Sequence, residues 1–455
     1  MNRAFILAAL AGAAPAGCAG TPTAQAPAPF IPGAGPRAGR ALFQVHATSK
    51  IQHVIVIVQE NRTVDNLFQF LPGASTQSWG YNSYGQRVTL QPEELTAPYD
   101  PGHNHIRNWK AEYNYGQFNG FNLDSSSCRN ERECPPPQQR AYAYVPMGEI
   151  QPYYTMAQTY TFGDNMFQTN QGPSFPAHQY LVSGTSTIYD RASEQAAENP
   201  GRQLGGCDSP RGTQVKLIDT RGFEREKAFP CFERSSIFTL LDQAGISWKY
   251  YQVKVGPGLW NGVDALKPIW QNKFEYAENV VEPPSQVLTD VFEGRLASVV
   301  FVTPTAAASD HGQITDGSGP SWVASVVNTV GYSPYWNTTA IIVTWDDWGG
   351  WFDHVVPTVR NPYELGFRVP LLVISPYAKA GYVSHVNYEF GSILKFIEKT
   401  FGLGSLGTTD KNANNLTDCF NFGARTRAFS PVPTKYSAGY FERQPVDERS
   451  PDDDF

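Results

Sequence analysis

The sequence predicts an α/β fold, with a mostly parallel central sheet flanked by helices and long loop insertions. Three observations predict it. First, four short runs are apolar without alternation: 51–58 (IQHVIVIV), 296–304 (LASVVFVTP), 339–344 (TAIIVT) and 369–375 (VPLLVIS). Runs of that kind are strands covered on both faces of a sheet. Second, stretches of helical spacing fall between and after them, at 235–244, 321–330 and 390–401. Third, 40 Gly and 35 Pro in 455 residues imply long excursions between elements. The 41% hydrophobic content supports one substantial core. Net charge is −7, which gives no electrostatic footprint for nucleic acid.

In chain order, residues 1–26 form an export signal. Met1-Asn2-Arg3 is a short basic start, 4–14 is apolar, and Ala24-Gln25-Ala26 fits a signal-peptidase site. Ala16-Gly17-Cys18 offers a second reading, a lipoprotein signal acylated at Cys18, with Pro15 out of place for it. Both readings stand, and both place the chain outside the cytoplasm: periplasmic, secreted or anchored by lipid. Residues 27–48 are rich in Ala, Pro and Gly and read as a flexible linker. A folded domain is expected over 49–430, and 431–455 reads as an irregular acidic tail. No later segment has the roughly 18 apolar residues of a membrane span. Export permits disulfides. Cys128–Cys134 and Cys207–Cys231 each bracket a polar loop and are the expected pairs, leaving Cys419.

Chemistry-bearing residues gather after the apolar runs. The first run leads into QENRTVDNLF, which sets Glu60 and Asn61 at a strand end. Helix-capping chemistry and ligation explain those two residues equally well. The run 339–344 leads into WDDWGGWFDHVVP, with Asp346, Asp347, Asp353 and His354. Adjacent acids raise each other's pKa, and a hard cation relieves that cost. A solvated turn is the ordinary reading, but it leaves Trp345, Trp348, Trp351 and Phe352 unexplained. A metal site is favoured. Those tryptophans suit either a choline-type cation–π pocket or the core. His103 and His105, two apart in PYDPGHNH, suit metal or phosphate, or else an exposed polar loop. Ser174, between Pro173 and Pro176, reads as a hydroxyl on a stiff loop. Asp310-His311-Gly312 follows another strand. Residues 187–235 form a polar insertion over or beside the site. His178 lines the pocket, and His385 is left out of the site.

Taken together, these motifs resemble the bacterial phosphoesterase family that contains phospholipases C and acid phosphatases, within the alkaline-phosphatase-like superfamily. The resemblance rests on IVIVQENRTVDNLF, GDNMF with GPSFP and YLVSGT, IIVTWDDWGGWFDHVVP, and GFRVPLLVISP, and it runs from Ile51 to about Leu403. It implies that 49–430 is the catalytic domain of a phosphate-ester hydrolase. It implies that Glu60, Asn61, Asp346 and Asp347 hold one divalent metal ion, with Ca²⁺ or Mg²⁺ favoured and Zn²⁺ open. It implies Ser174 as nucleophile, and His103, His311 and His354 as groups that bind the phosphate and protonate the leaving group. The substrate is then a small-molecule or phospholipid phosphate ester, monoester or diester. No protein partner is implied, and membrane contact comes only through a lipid anchor or a lipid substrate. The segment QFNGFN departs from the family pattern, with Gln117 and Asn119 where Lys and Asp are usual, so substrate contacts from that segment are not carried over. A sulfatase reading lacks the required Arg after Ser174-Phe175-Pro176. A non-catalytic surface binding protein keeping the fold is the alternative.

Overall fold

The computed structural model describes residues 50–201 and 204–447. The export signal, Cys18, the whole of the expected linker and the last eight residues lie outside these. The central sheet has nine strands. In chain order they are β1 (His53–Gln59), β2 (Thr161–Phe167), β3 (Trp248–Tyr251), β4 (Val280–Val281), β5 (Val299–Val302), β6 (Thr339–Trp345), β7 (Arg368–Ile374), β8 (Tyr382–Ser384) and β9 (Tyr388–Glu389). Across the sheet the order is β4-β3-β5-β1-β6-β7-β2-β8, with β9 also paired to β2.

The four apolar runs became β1, β5, β6 and β7. Every residue of β5, β6 and β7 is buried, and in β1 only His53 is partly exposed. Lateral pairing in the interior is what their unalternating sequence requires. β1 lies parallel to both β5 and β6. β7 runs antiparallel to both its neighbours, β6 and β2, so the sheet is mixed around one reversed strand. β2 was not expected, because Gly163-Asp164-Asn165 at its centre are poor strand formers. Its place is decided by the β7 and β8 partners on either side.

Helices cover the faces: α1 (Val64–Phe68), α2 (Gln151–Thr159), α3 (Ser174–Ser183), α4 (Ile237–Ala244), α5 (Gly319–Tyr332) and α6 (Phe390–Phe401). α4 is bounded as its sequence indicates. Ser236 and Thr239 form a capping box, and Gly245 ends the helix in the left-handed region. The stiff loop expected around Ser174 is instead the start of α3. Pro173 is the N-cap and Ser174 the first helical residue. Pro176 is tolerated because an amide in the first turn has no intrahelical acceptor to lose.

Within the 187–235 insertion, Gln195–Ala196, Val215–Ile218 and Glu224–Ala228 form a three-stranded antiparallel sheet. Its side chains Val215 and Leu217 share a small core with Phe175 of α3. Both expected disulfides are present, Cys128–Cys134 and Cys207–Cys231, and Cys419 is a buried free thiol. In the described part of the expected tail, Ala438–Phe441 is a short helix, and Val432 and Phe441 are buried. Among the described residues no helix is long and apolar enough to cross a membrane.

Candidate active site

The register of two strands builds the site. Gln59 at the end of β1 pairs with Trp345 at the end of β6. The next residues, Glu60-Asn61 and Asp346-Asp347, therefore leave the sheet side by side. Loops at the carboxyl ends of strands are where α/β proteins place ligands. The two loops are cross-linked. The Asn61 backbone N–H donates to Asp346 Oδ1 at 3.1 Å, and the Arg62 N–H donates to the Asp347 carbonyl. Asn61 sits at φ 61°, a conformation Asn tolerates better than most residues.

The Gly349-Gly350 pair permits this closeness. Both have positive φ. A Cβ on Gly349 would lie 2.4 Å from the Asn61 carbonyl oxygen, and one on Gly350 would lie 2.6 Å from that of Gly102. Side chains there would push the Asp346-Asp347 loop off β1's loop and off the segment carrying His103.

Ser174 enters from α3. Its hydroxyl donates toward Glu60 Oε2 at 3.5 Å and Asp347 Oδ2 at 3.4 Å. As the first residue of a ten-residue helix it lies at the positive end of the helix dipole, where an anion is favoured. One turn further on, His178 places Nε2 3.2 Å from Glu60 Oε1 and 3.8 Å from Asp346 Oδ2. Burial lowers the His178 pKa to about 4, against the attraction of Asp346. It is therefore neutral, the form that binds metal. Its spacing from Ser174 (i, i+4) puts both on one helix face, and that face is the signal that marks His178 as more than pocket lining.

His103 joins through Asn61, whose Nδ2 lies 3.0 Å from His103 Nε2, while Nδ1 faces the Pro101 carbonyl at 3.0 Å. The His103 and His311 rings lie edge to face with centroids 5.7 Å apart. His311 Nδ1 faces the Gly312 carbonyl at 2.8 Å. Asp310 is a scaffold beneath them. Its Oδ2 accepts from Tyr153 and from Trp345 Nε1, and burial pushes its pKa up to about 6.

Seven of the eight expected residues thus meet in one place: Glu60, Asn61, Asp346, Asp347, Ser174, His103 and His311. His354 does not. Its Nδ1 lies 2.7 Å from Asp65 Oδ2, and its other polar contacts are to Ser75 and Arg368. Of the two readings of the tryptophans, full burial of Trp345, Trp348 and Trp351 fits the core reading. Trp348 donates to Glu112, and Trp351 stacks under Arg62 at 4.7 Å.

A divalent metal fits the acidic centre. Asn61 Oδ1 and Asp346 Oδ2 are buried with no hydrogen-bond partner. A buried oxygen without a donor costs about 1–3 kcal/mol, more for a charged group. One donor atom each from Glu60, His178 and Asp346 lies within 4.8 Å of the others.

A profile of the Phosphoesterase family matches residues 51–404, and the chain belongs to that family. Phospholipase C B of Mycobacterium tuberculosis is 27% identical, over 89% of this chain and 81% of that protein. The hemolytic phospholipase C of Pseudomonas aeruginosa is 25% identical, over 78% of this chain and 53% of its own. Non-specific phospholipase C1 of Arabidopsis thaliana is 22% identical, over 80% of this chain and 69% of its own. A Vibrio parahaemolyticus protein of the alkaline phosphatase superfamily superposes with TM-score 0.37 and 10% identity, over 82% of this chain and 72% of that one, too slight a likeness to argue from. The chain is a hydrolase acting on phosphate esters.

Proposed function

We propose that this protein is an exported, metal-dependent phosphodiesterase of phospholipase C type, which attacks phosphorus with Ser174. One observation carries the reading. The Ser174 hydroxyl, at the positive end of α3, is aimed at two carboxylates that belong to an acidic centre short of positive charge. A divalent ion held by Glu60, Asn61, Asp346 and Asp347, with His178 beside Glu60 and Asp346, would supply charge neutralisation and Lewis acidity to the phosphoryl group.

The chain's own residues supply the rest. Ser174 Oγ forms the bond to phosphorus as the ester oxygen leaves, and its proton passes to Glu60 Oε2 or Asp347 Oδ2. The start of α3 favours the phosphate charge. His103 and His311 face the group that departs, and a protonated His311, with one proton on Nδ1 against the Gly312 carbonyl, gives its Nε2 proton to the leaving ester oxygen and takes one back from the attacking water. Water then cleaves the phosphoserine and Ser174 recovers its proton. His354 has no contact with this group and acts through the loop that carries it. The imidazole donor moves the metal preference from Ca²⁺ and Mg²⁺ toward Zn²⁺ or Mn²⁺. The phospholipase C relatives favour a phospholipid diester over a monoester. The basic and apolar start of the chain and the two disulfides support export.

The test is hydrolysis of p-nitrophenylphosphocholine and p-nitrophenyl phosphate by the chain and by Ser174→Ala. The expected result is preference for the diester and loss of both activities in the variant. Activity that survives the substitution would overturn the serine as attacking group, and preference for the monoester would overturn the phospholipase C reading.

A further inference from the structure

Two loops packed on the active-site segment Trp348–Phe352 hold aromatic side chains in solvent. The first is the hairpin of strands Trp79–Tyr81 and Arg87–Thr89. Gly80 and Val88 form its inner side. A Cβ on Gly80 would lie 2.3 Å from the Phe352 ring, and Val88 packs on the same small core. Alternation therefore turns Tyr81 and its cross-strand partner Arg87 outward. Tyr84, in the turn, is 76% exposed. The second loop is 113–123. Its Phe118 and Phe121 pack inward on Phe367, and Phe121 also on Phe352. Its Tyr115 is 97% exposed, and Leu123 is half-exposed. The two loops touch. Asn122 accepts the Ser83 N–H at 2.8 Å and donates to the Ser83 hydroxyl at 3.0 Å, and Tyr84 and Leu123 flank that contact. Their shared platform adjoins the site, because Trp348 follows Asp347 directly and its ring centroid lies 6.1 Å from that of His103.

This surface differs from singly scattered exposed apolar residues, which need no explanation. Asn114, Tyr115 and Phe118 have φ of 41°, 54° and 53°. A bulky residue in that region is strained. At 97% exposure the Tyr115 ring gains almost no protein contact in return. The local charge is also opposite to that of the chain. Segments 79–87 and 105–123 carry Arg87, Arg107 and Lys110, all exposed. Their one acid, Glu112, is fully buried and accepts from Trp348 Nε1 at 2.6 Å. The whole chain is at −7. Tyrosines settle at the boundary of water and lipid, and neighbouring cations are drawn to anionic headgroups.

We propose that this surface docks the protein on an anionic phospholipid bilayer. Tyr84, Tyr115 and Leu123 enter at headgroup level, and Arg87 and Arg107 meet lipid phosphate. The occupant rests on the phospholipid-diester reading of the active site, which this docking deepens: it brings the loop that carries His103 to the lipid surface.

The test is co-sedimentation of the Ser174→Ala chain with vesicles, in chelator so that no lipid is consumed. The vesicles are phosphatidylcholine alone or an equimolar mixture with phosphatidylglycerol. Binding to the mixture is expected. Tyr84→Ser with Tyr115→Asn should weaken it about tenfold. Arg87→Gln with Arg107→Gln should weaken it at least about tenfold. All four side chains are exposed, and Asn accepts the φ of Tyr115, so a thermal melt should match the parent. No sedimentation, equal sedimentation of parent and variants, or equal binding to phosphatidylcholine alone would overturn the proposal. So would a dimer in solution that the tyrosine substitutions dissolve, which would give the surface to a second copy. The readout does not depend on turnover. A chain that sediments as expected but hydrolyses no phosphodiester keeps this surface and loses the phospholipase C reading.

Discussion

Two acidic clusters leave the same pair of strand ends, and they are finished in opposite ways. Asp65, in the first turn of α1, and Asp353 lie a few residues beyond Glu60 and Asp346 in the same two segments. Between them sits Arg368, which donates to Asp353 through Nε at 2.8 Å and Nη2 at 3.0 Å, and lies 3.6 Å from Asp65. His354 completes that cluster. Its positive charges are part of the chain. The active-site cluster has a neutral histidine where the other has an arginine, and it retains oxygens with nothing donating to them. Both clusters offer a metal-like spacing of donors. Spacing alone therefore does not make a site. The charge balance separates a structural ion-pair network from a centre that needs a ligand.

The largest effect expected from this contrast is catalytic. Ser174→Ala should lower kcat/KM at least about a thousandfold, roughly 4 kcal/mol in the barrier. Melting temperature should stay within about 2–4 °C of the parent, since the change removes one hydroxyl. Steady-state rates beside a thermal melt check both. Next is Arg368→Met, which strands two buried acids. It should cost about 3–5 kcal/mol of stability in chemical denaturation. A cost below about 1 kcal/mol would erase the distinction between the clusters.

A smaller effect tests the other cluster. Without metal, Asp346→Asn should be as stable as the parent or up to about 1 kcal/mol more stable, because it removes an uncompensated charge. With metal present the parent should gain stability and the variant less. A large loss in the metal-free state would show that the acids are held by the protein itself.

The smallest effect is a pH dependence. Burial opposes charge on His354, but its hydrogen bond to Asp65 and the nearby Asp353 outweigh that and raise its pKa above the usual histidine value. The folded state therefore binds the proton more tightly than the unfolded chain. The contribution to stability is full below about pH 6.5 and is lost as pH rises through the raised value. His354→Gln should flatten that decline in a series of thermal melts between pH 5 and 9. An unchanged slope would mean that His354 stays neutral there.

Much of this was legible in the chain. The unalternating runs at 51–58, 296–304, 339–344 and 369–375 marked the inner strands, because a strand with two covered faces has no reason to alternate. Asp346-Asp347 beside Gly349-Gly350 marked the candidate site, because adjacent acids and paired glycines are costly unless something close requires them. β2 was not legible, because its GDN centre contradicts strand propensity and is overruled by its neighbours. His178 was legible only as a histidine four residues after the serine. Without the helix, that spacing says nothing about a shared face.

The sequence by itself determined the inner strands, the helix caps and the set of groups available for chemistry, since these depend on local propensity and covalent neighbourhood. The tertiary structure alone decided which groups meet. The pairing of Gln59 with Trp345 brought Glu60 against Asp346 across almost 290 positions of chain. The insertion of Arg368 between Asp65 and Asp353 turned an equally acidic motif, His354 included, into scaffold. Charge balance is a sum over neighbours in space, and those neighbours come from strands whose order in the sheet is not their order in the chain.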